Sequence, residues 1–404
     1  MSQTYAVIGA GHGAGQAAAS LRQLGFEGRV VLVGEEAYPP YQRPPLSKKF
    51  LAGELDKDRT YFKPAAFYEE KQVELKLRTR AEKIDTTAKT VALSDGESLG
   101  YEKLLLCLGS QVRRIPVPGA ELPEVFYLRT IDDVLGIQAN VRAGNKMVIV
   151  GGGYIGLEVA SVCTKLGMQV IVLEMEERLM SRVVSPEVSK FYAEFHAAKG
   201  VEIHCGAAVS AFEGEGKLRS VSVKDGRSFD ADLAVVGIGI MPNTSLAEEA
   251  GLACNNGIVV DEYCRTSVED VFAAGDCTNH PNALLGRRVR LESVHNALEQ
   301  AKTAAHAMCG DLQEYSQVPW FWSDQYDLKL QMAGLAEGHD RTVRRGDPAS
   351  GGFAVFYQRD GILIAVEAIN SPREFMMGRK LIGQRAVIAP ERLADMSIAM
   401  SDMV

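Results

Sequence analysis

Two short glycine runs are the parts of this 404-residue sequence whose spacing most directly suggests chemistry. Gly9-x-Gly11-x-x-Ala14 follows the apolar stretch Tyr5 to Ile8, and Gly151-x-Gly153-x-x-Gly156 follows Met147 to Val150. In each, the first glycine permits a tight turn. The second lets backbone N–H groups approach a pyrophosphate at a helix start, where the helix dipole favours negative charge. Each run is answered by an acid closing a second apolar strand: Glu35, 26 residues after Gly9, and Glu174 after VIVL. A carboxylate there suits ribose hydroxyls. Glu174 would also repel a 2′-phosphate, and Met175, Glu176 and Glu177 follow it rather than arginines. The second site is therefore expected to prefer NADH over NADPH, with Arg178 the residue that counts against this.

The elements needed to hold these loops are legible as well. KQVELKLRTRAEKIDTTAKTVALSDGESLGYEKLLLCLGS (71–110) parallels KGVEIHCGAAVSAFEGEGKLRSVSVKDGRSFDADLAVVGIG (199–239). Each has a strand, a β-meander with an Asp-Gly turn, and an apolar strand ending in glycine, downstream of a glycine motif. The expected fold is α/β, with two Rossmann-like dinucleotide-binding domains carrying β-meander insertions and a smaller α+β C-terminal domain. The expected boundaries are 1–112 with 243–318, then 113–242, then 319–404. In the last part, GGFAVFYQRDGILIAVEAIN reads as a hairpin around Arg359-Asp360-Gly361, and APERLADMSI as a closing helix.

Composition narrows the function classes. Hydrophobic residues make up 46% and charged residues 24%, as in a water-soluble globular protein. A net charge of −8 argues against general nucleic-acid binding, and no apolar run reaches membrane-spanning length. The start of the sequence lacks signal-peptide features, so the expected location is the cytoplasm. Cys107, Cys163, Cys205, Cys254, Cys264, Cys277 and Cys309 lie ten or more residues apart, which leaves no CxxC pair and no zinc or iron–sulfur spacing. No metal is expected.

The two nucleotide motifs, LLLCLGS (104–110) and TSVEDVFAAGDC (266–277) together resemble two-dinucleotide flavoprotein reductases of the glutathione-reductase structural class. Within it, PYQRPPLSKKFL, YLRT (127–130), GGGYIGLE and PWFWSDQYDLKLQMAGL (319–335) are similar to the putidaredoxin-reductase-like branch of ferredoxin reductases serving oxygenases. The resemblance runs along essentially the whole chain. It implies non-covalent FAD on Gly9, Gly11, Gly13, Ala14, Glu35, Arg43, Lys48, Arg129, Asp276, Ser293, Val294 and Trp320. It implies NAD on Gly151, Gly153, Tyr154, Ile155, Gly156, Glu158 and Glu174. By the same resemblance Asp276 accepts a ribityl hydroxyl, the helix starting near Ser293-Val294 faces the flavin's pyrimidine edge, and Trp320 lies beside one of the two rings. A core aromatic is the alternative reading of Trp320.

In relatives that use thiols, the redox cysteines sit on the helix after the second strand. Here that stretch is YPPYQRPPLSKKFL (38–51), with no cysteine before Cys107. Electrons cannot pass to a dithiol there, and no sulfenic acid can form. A helix is expected to open at Ser47-Lys48. Lys48 is expected to stabilise the reduced flavin and to pair with Glu158, which the resemblance places at the nicotinamide carboxamide; these two are the catalytic candidates. Pro44 and Pro45 read equally as a rigid wall or a plain turn. His12 is read as loop filler rather than a proton donor.

The expected activity is NADH-dependent reduction of a [2Fe–2S] ferredoxin that serves a monooxygenase or dioxygenase. A rubredoxin reductase, or a non-turnover flavoprotein resembling apoptosis-inducing factor, are the alternatives. An acidic ferredoxin needs a local basic patch. The candidates are Arg287, Arg288 and Arg290; Arg341 with Arg344 and Arg345; and Arg379 with Lys380.

Overall fold

Val- and Ile-rich runs buried along almost their whole length form the centres of two parallel sheets, the usual composition of strands covered on both faces. The computed structural model describes residues 3–403. The first sheet has the order Val271–Ala273, Lys103–Leu106, Thr4–Ile8, Arg29–Val33, Val73–Lys76. The second has the order Val125–Tyr127, Leu233–Val236, Lys146–Val150, Gln169–Leu173, Glu202–His204. Every neighbouring pair in both is parallel. A three-stranded antiparallel meander follows the outermost strand in each, Ala81–Gly100 in one and Val209–Asp230 in the other. The meander corners fall at Gly96 and Gly226, with φ of +87° and +91°, which glycine alone adopts without strain. The repeat seen in the sequence is thus one topology built twice.

Helix α1 (His12–Gln23) follows the first glycine run and α2 (Tyr154–Lys165) the second. Helix α3 (Pro186–Ala198) begins under a Ser185 cap, and α4 (Val294–Met308) under a Ser293 cap. Strand, turn and helix meet closely at each glycine run. A Cβ on Gly9 would lie 2.2 Å from the Cys107 carbonyl oxygen, and one on Gly156 would lie 2.1 Å from that of Gly151. Alanines 17, 18, 301, 304 and 305, all fully buried, let α1 and α4 share one core.

The C-terminal part is an antiparallel sheet in the order Trp320–Gln325, Leu328–Gly334, Ile362–Ile369, Gly352–Arg359, Arg341–Asp347, with α5 (Pro372–Gly383) after it. The expected hairpin turns at Asp360 and Gly361, φ +52° and +77°. The closing helix is shorter than expected, only Pro390–Ala394. Asp395 ends it by accepting from the backbone N–H and hydroxyl of Ser397, a local bond that competes with helix continuation. By compactness one unit runs to Gln42 and takes in Asp58–Gln111 and Met241–Phe321; the other comprises Arg43–Lys57, Val112–Ile240 and Trp322 onward. No helix among the described residues is long and apolar enough to cross a membrane.

One core residue makes the first unit acid-sensitive. His280 is 1% exposed, packs edge-on against Tyr315 and makes no ring hydrogen bond among the described residues. Burial, with Arg288 nearby, pushes its pKa down to about 4. An unfolded histidine titrates near 6.5, so between those values the unfolded chain binds a proton that the folded chain refuses. Stability is complete above pH ~6.5 and falls as the pH is lowered towards 4. His280→Phe is expected to remove about 2–3 kcal/mol of that acid-side loss, read by denaturant unfolding at pH 7 and 4.5.

Candidate functional site

Each glycine run presents the start of a helix to open space. Gly11 caps α1 and Gly153 caps α2, neither helix start has a side-chain cap, and a Cβ on either glycine would meet nothing within 4 Å. Uncapped N–H groups beside that clearance fit a dinucleotide pyrophosphate in both places. Gly13 and Ala14 are buried in the first turn of α1. Ile155 is 43% exposed on the first turn of α2 and Met175 67% exposed beyond the neighbouring strand. The Tyr154 hydroxyl, by contrast, turns to the Met332 sulfur at 3.1 Å.

The two acids are placed differently. Glu174 lies against its loop: Oε2 accepts the Gly152 N–H at 2.6 Å and Oε1 that of Glu176 at 2.8 Å. In the first unit the equivalent register position is Gly34, because Gly9 N–H bonds Val33 as Gly151 N–H bonds Leu173. A Cβ on Gly34 would come within 2.4 Å of that of Ala10, which excludes a side chain there. Glu35 therefore stands one residue further on and is exposed, while Glu36 accepts from the Tyr41 hydroxyl at 2.6 Å.

Elsewhere in the first unit, Asp276 accepts from Ser110 at 3.1 Å, and Ser293 caps α4 by accepting from Asn296 N–H. Gln300, fully buried among the alanines of α4, accepts from Gly275 N–H and the Thr278 hydroxyl, both at 2.8 Å. It holds the turn containing Asp276 against the helix. Asn296, buried one turn earlier on the same helix, also donates to Gln300 at 3.3 Å. Trp320 packs against His295, ring centroids 5.6 Å apart.

The densest polar arrangement lies in the second unit. Pro44 and Pro45 open a 3-10 turn, Pro44–Ser47, so the helical turn ends at Ser47 instead of beginning there. Proline's fixed φ and missing N–H suit the first positions of a helix. The Ser47 hydroxyl and Lys48 ammonium then reach one oxygen of Glu158, Oε2, at 2.5 and 2.6 Å. Lys48 also approaches the Pro44 carbonyl at 3.3 Å. The other oxygen, Oε1, accepts from Ser323 at 2.6 Å. Glu158 is 2% exposed. Arg43 donates to the Arg129 carbonyl at 2.5 Å, and Arg129 N–H to Asp133, the partner of Thr130 in a capping box. Lys48, Glu158, Arg43 and Arg129 are thus brought into one unit. Sequence reading reached Lys48 and Glu158 but passed over Ser47 and Ser323.

No cysteine lies in the segment that carries Lys48, and four of the seven are out of reach of solvent. Cys107, Cys163, Cys264 and Cys277 are buried and unpaired, and burial pushes Cys163 and Cys277 up to about 12. Held protonated by burial, they are poor nucleophiles. The described residues contain no cluster of three or more metal-ligating side chains. Among the basic candidates, Arg345 is not a docking residue. It is 3% exposed, and its guanidinium donates to the carbonyls of Leu393, Asp395 and Ile398. Arg344 is committed to Glu187 at 2.9 Å, Arg290 to Glu292, and Arg288 to the carbonyls of Val260 and Asn279.

The pyridine nucleotide-disulphide oxidoreductase family matches residues 3–301, and the reductase C-terminal family matches residues 320–404. A ferredoxin–NAD(P)+ reductase of a Sphingomonas species is 41% identical over 95% of this chain and 94% of its own length. Putidaredoxin reductase of Pseudomonas putida is 39% identical over 98% and 96%. In the crystal structure of a covalent putidaredoxin reductase–putidaredoxin complex, the matched chain superposes with a TM-score of 0.97 at 38% identity, covering 99% of this chain and 98% of that one.

A buried ion pair is costly to leave half-made. Glu158→Gln strands the Lys48 ammonium and is expected to cost about 3 kcal/mol, measured by denaturant unfolding. Lys48→Met with Glu158→Gln, which removes both charges, is expected to recover most of that loss.

Proposed function

The chain belongs to the pyridine nucleotide-disulphide oxidoreductase family, and on that basis we propose that it is an NADH-dependent, FAD-containing ferredoxin reductase serving an oxygenase. The observation that carries this reading is the pairing of Lys48 with buried Glu158 in a segment without a thiol. A hydride brings two electrons together, and a [2Fe–2S] acceptor takes one at a time. Bound FAD supplies the conversion between them.

The protein's own part is to bind and orient. Gly9, Gly11, Gly13 and Ala14 would cradle the FAD pyrophosphate, with Glu35 at its ribose and Asp276 at the ribityl chain. Arg43, Lys48, Arg129, Ser293, Val294 and Trp320 complete that set. Gly151, Gly153, Tyr154, Ile155 and Gly156 would hold NAD, and Glu158 would orient the nicotinamide amide through hydrogen bonding. The division into an FAD part (1–112 and 243–318), an NAD part (113–242) and an interface part (319–404) belongs to the same proposal.

Two contacts support NADH over NADPH. The Glu174 carboxylate lies at the glycine loop, where a 2′-phosphate would meet like charge. Arg178, the nearest cation in sequence, donates to the carbonyls of Ser181 and Val184 at 2.7 and 3.0 Å, which commits it to its own loop. The relatives' partners support ferredoxin as acceptor. For docking, α5 offers Arg373, Met376 and Lys380, all exposed, at i, i+3 and i+7 on one face. Neither Arg373 nor Lys380 makes an ion pair among the described residues.

In stopped-flow mixing, NADH is expected to reduce the flavin faster and at lower concentration than NADPH, and cytochrome c reduction to depend on an added [2Fe–2S] ferredoxin. Fast flavin reduction without ferredoxin-dependent turnover would overturn the acceptor. Tighter NADPH binding would overturn the role of Glu174. Arg373→Glu with Lys380→Glu is expected to raise the KM for ferredoxin about tenfold at low salt, with NADH reduction of ferricyanide unchanged.

A further inference from the structure

Behind Glu158 runs a chain of buried polar groups that neither glycine loop needs. Ser323 and Gln325 stand two residues apart on one face of the strand Trp320–Gln325, both fully buried. The Gln325 amide nitrogen is 3.1 Å from the Ser323 oxygen, and its carbonyl oxygen is 2.8 Å from His196 Nε2. His196 is also fully buried, on the last turn of α3, against the rings of Tyr192 and Tyr326.

Donor and acceptor capacity orders the chain in one direction only. Glu158 Oε1 can only accept as a carboxylate, so the Ser323 hydroxyl donates to it. The Ser323 oxygen is then left to accept, and the Gln325 amide N–H supplies the proton. Gln325 presents its carbonyl to His196, which donates from Nε2–H. A flipped amide would set two acceptors against each other at one end. Every dipole therefore points its positive end at Glu158, an alignment that strengthens each bond in turn.

The chain stops at His196. Its Nδ1 has no partner among the described residues, and burial lowers its pKa, so the ring is neutral. The far end of α3 is held by the same sheet. Glu367, on Ile362–Ile369, accepts from the Ser185 N–H at 3.2 Å and from its hydroxyl at 3.1 Å. A row of buried polar groups rigidifies what it holds, whereas an apolar core of the same shape can stabilise the fold as well, so what this row adds is a fixed geometry.

We infer that Ser323, Gln325 and His196 are positioning residues that fix the Glu158 carboxylate from the C-terminal sheet, so that this sheet sets the orientation of the Lys48–Glu158 pair towards nicotinamide. This rests on the reading of Glu158 as a nicotinamide contact. Without its Oε1 donor, the carboxylate keeps only Ser47 and Lys48 on Oε2 and loses its hold from the C-terminal sheet.

The test uses the FAD-loaded protein and two readouts, NAD+ affinity by titration calorimetry and the rate of flavin reduction by NADH. Ser323→Ala is expected to weaken NAD+ binding and slow reduction, each about tenfold, the usual scale for losing a hydrogen bond to a charged group. Ser323→Thr, which keeps the hydroxyl, is expected to restore both to within about twofold. In a Glu158→Gln background, Ser323→Ala is expected to add nothing, because it acts through Glu158. Equal melting temperatures for the Ala and Thr variants exclude general destabilisation as the cause. If Glu158→Gln impairs both readouts but Ser323→Ala leaves them unchanged or adds fully to it, the positioning role is overturned alone. If Glu158→Gln itself matches wild type, the reading of Glu158 falls and this inference falls with it.

Discussion

A carboxylate with 2% exposure cannot stay charged inside a protein unless its oxygens are filled with donors, and Glu158 meets that requirement on both. Desolvating such a group costs several kcal/mol, returned only by close and well-directed partners. With Glu158 itself on α2, the partners come from two other places in the chain: Ser47 and Lys48 at the end of the proline turn, and Ser323 on the C-terminal sheet. One buried charge thus ties the segment 43–57, the second nucleotide fold and the C-terminal sheet into a single compact unit. The proline turn owes its place to this requirement, since it delivers both a hydroxyl and an ammonium to the same oxygen.

The same topology built twice shows what repetition preserves and what it releases. Strand order, the close approach at the first glycine and the uncapped helix start are common to both copies. The acid beside the loop is not. Glu174 bonds back to its own glycine run, whereas Gly34 leaves that position bare and the carboxylate moves on to Glu35. The difference traces to a single methyl group. Ala10 replaces Gly152 in the loop, and its Cβ takes the space that a side chain at 34 would need.

Arginine on the C-terminal sheet carries a related lesson about charge. Arg345 looked like part of a basic surface because its neighbours in sequence are basic. In the fold it points inward and closes three carbonyls of the chain's last segment, while Arg344, on the opposite face of the same strand, stays outside with Glu187. Strand alternation separates two adjacent arginines into a structural one and a surface one.

The sequence by itself determined the two nucleotide folds, their meanders, the absence of a redox dithiol and the candidacy of Lys48 and Glu158. The folds, the meanders and the lack of a dithiol rest on local signals: apolar periodicity, glycines where only glycine fits, Asp-Gly turns, and cysteine spacing; the candidacy of Lys48 and Glu158 rests on the resemblance to the putidaredoxin-reductase-like branch. The tertiary structure decided what depends on residues distant in the chain. The hydroxyl of Ser323 comes to Glu158 across 165 positions, and Gln325 meets His196 across 129. PWFWSDQ drew notice for its tryptophans, yet it is Ser323, just after them, that reaches the buried carboxylate. Serine, glutamine and histidine are ordinary surface residues by composition. Only the packing of α3 and α2 against one face of a strand removes them from water and leaves them each other as partners.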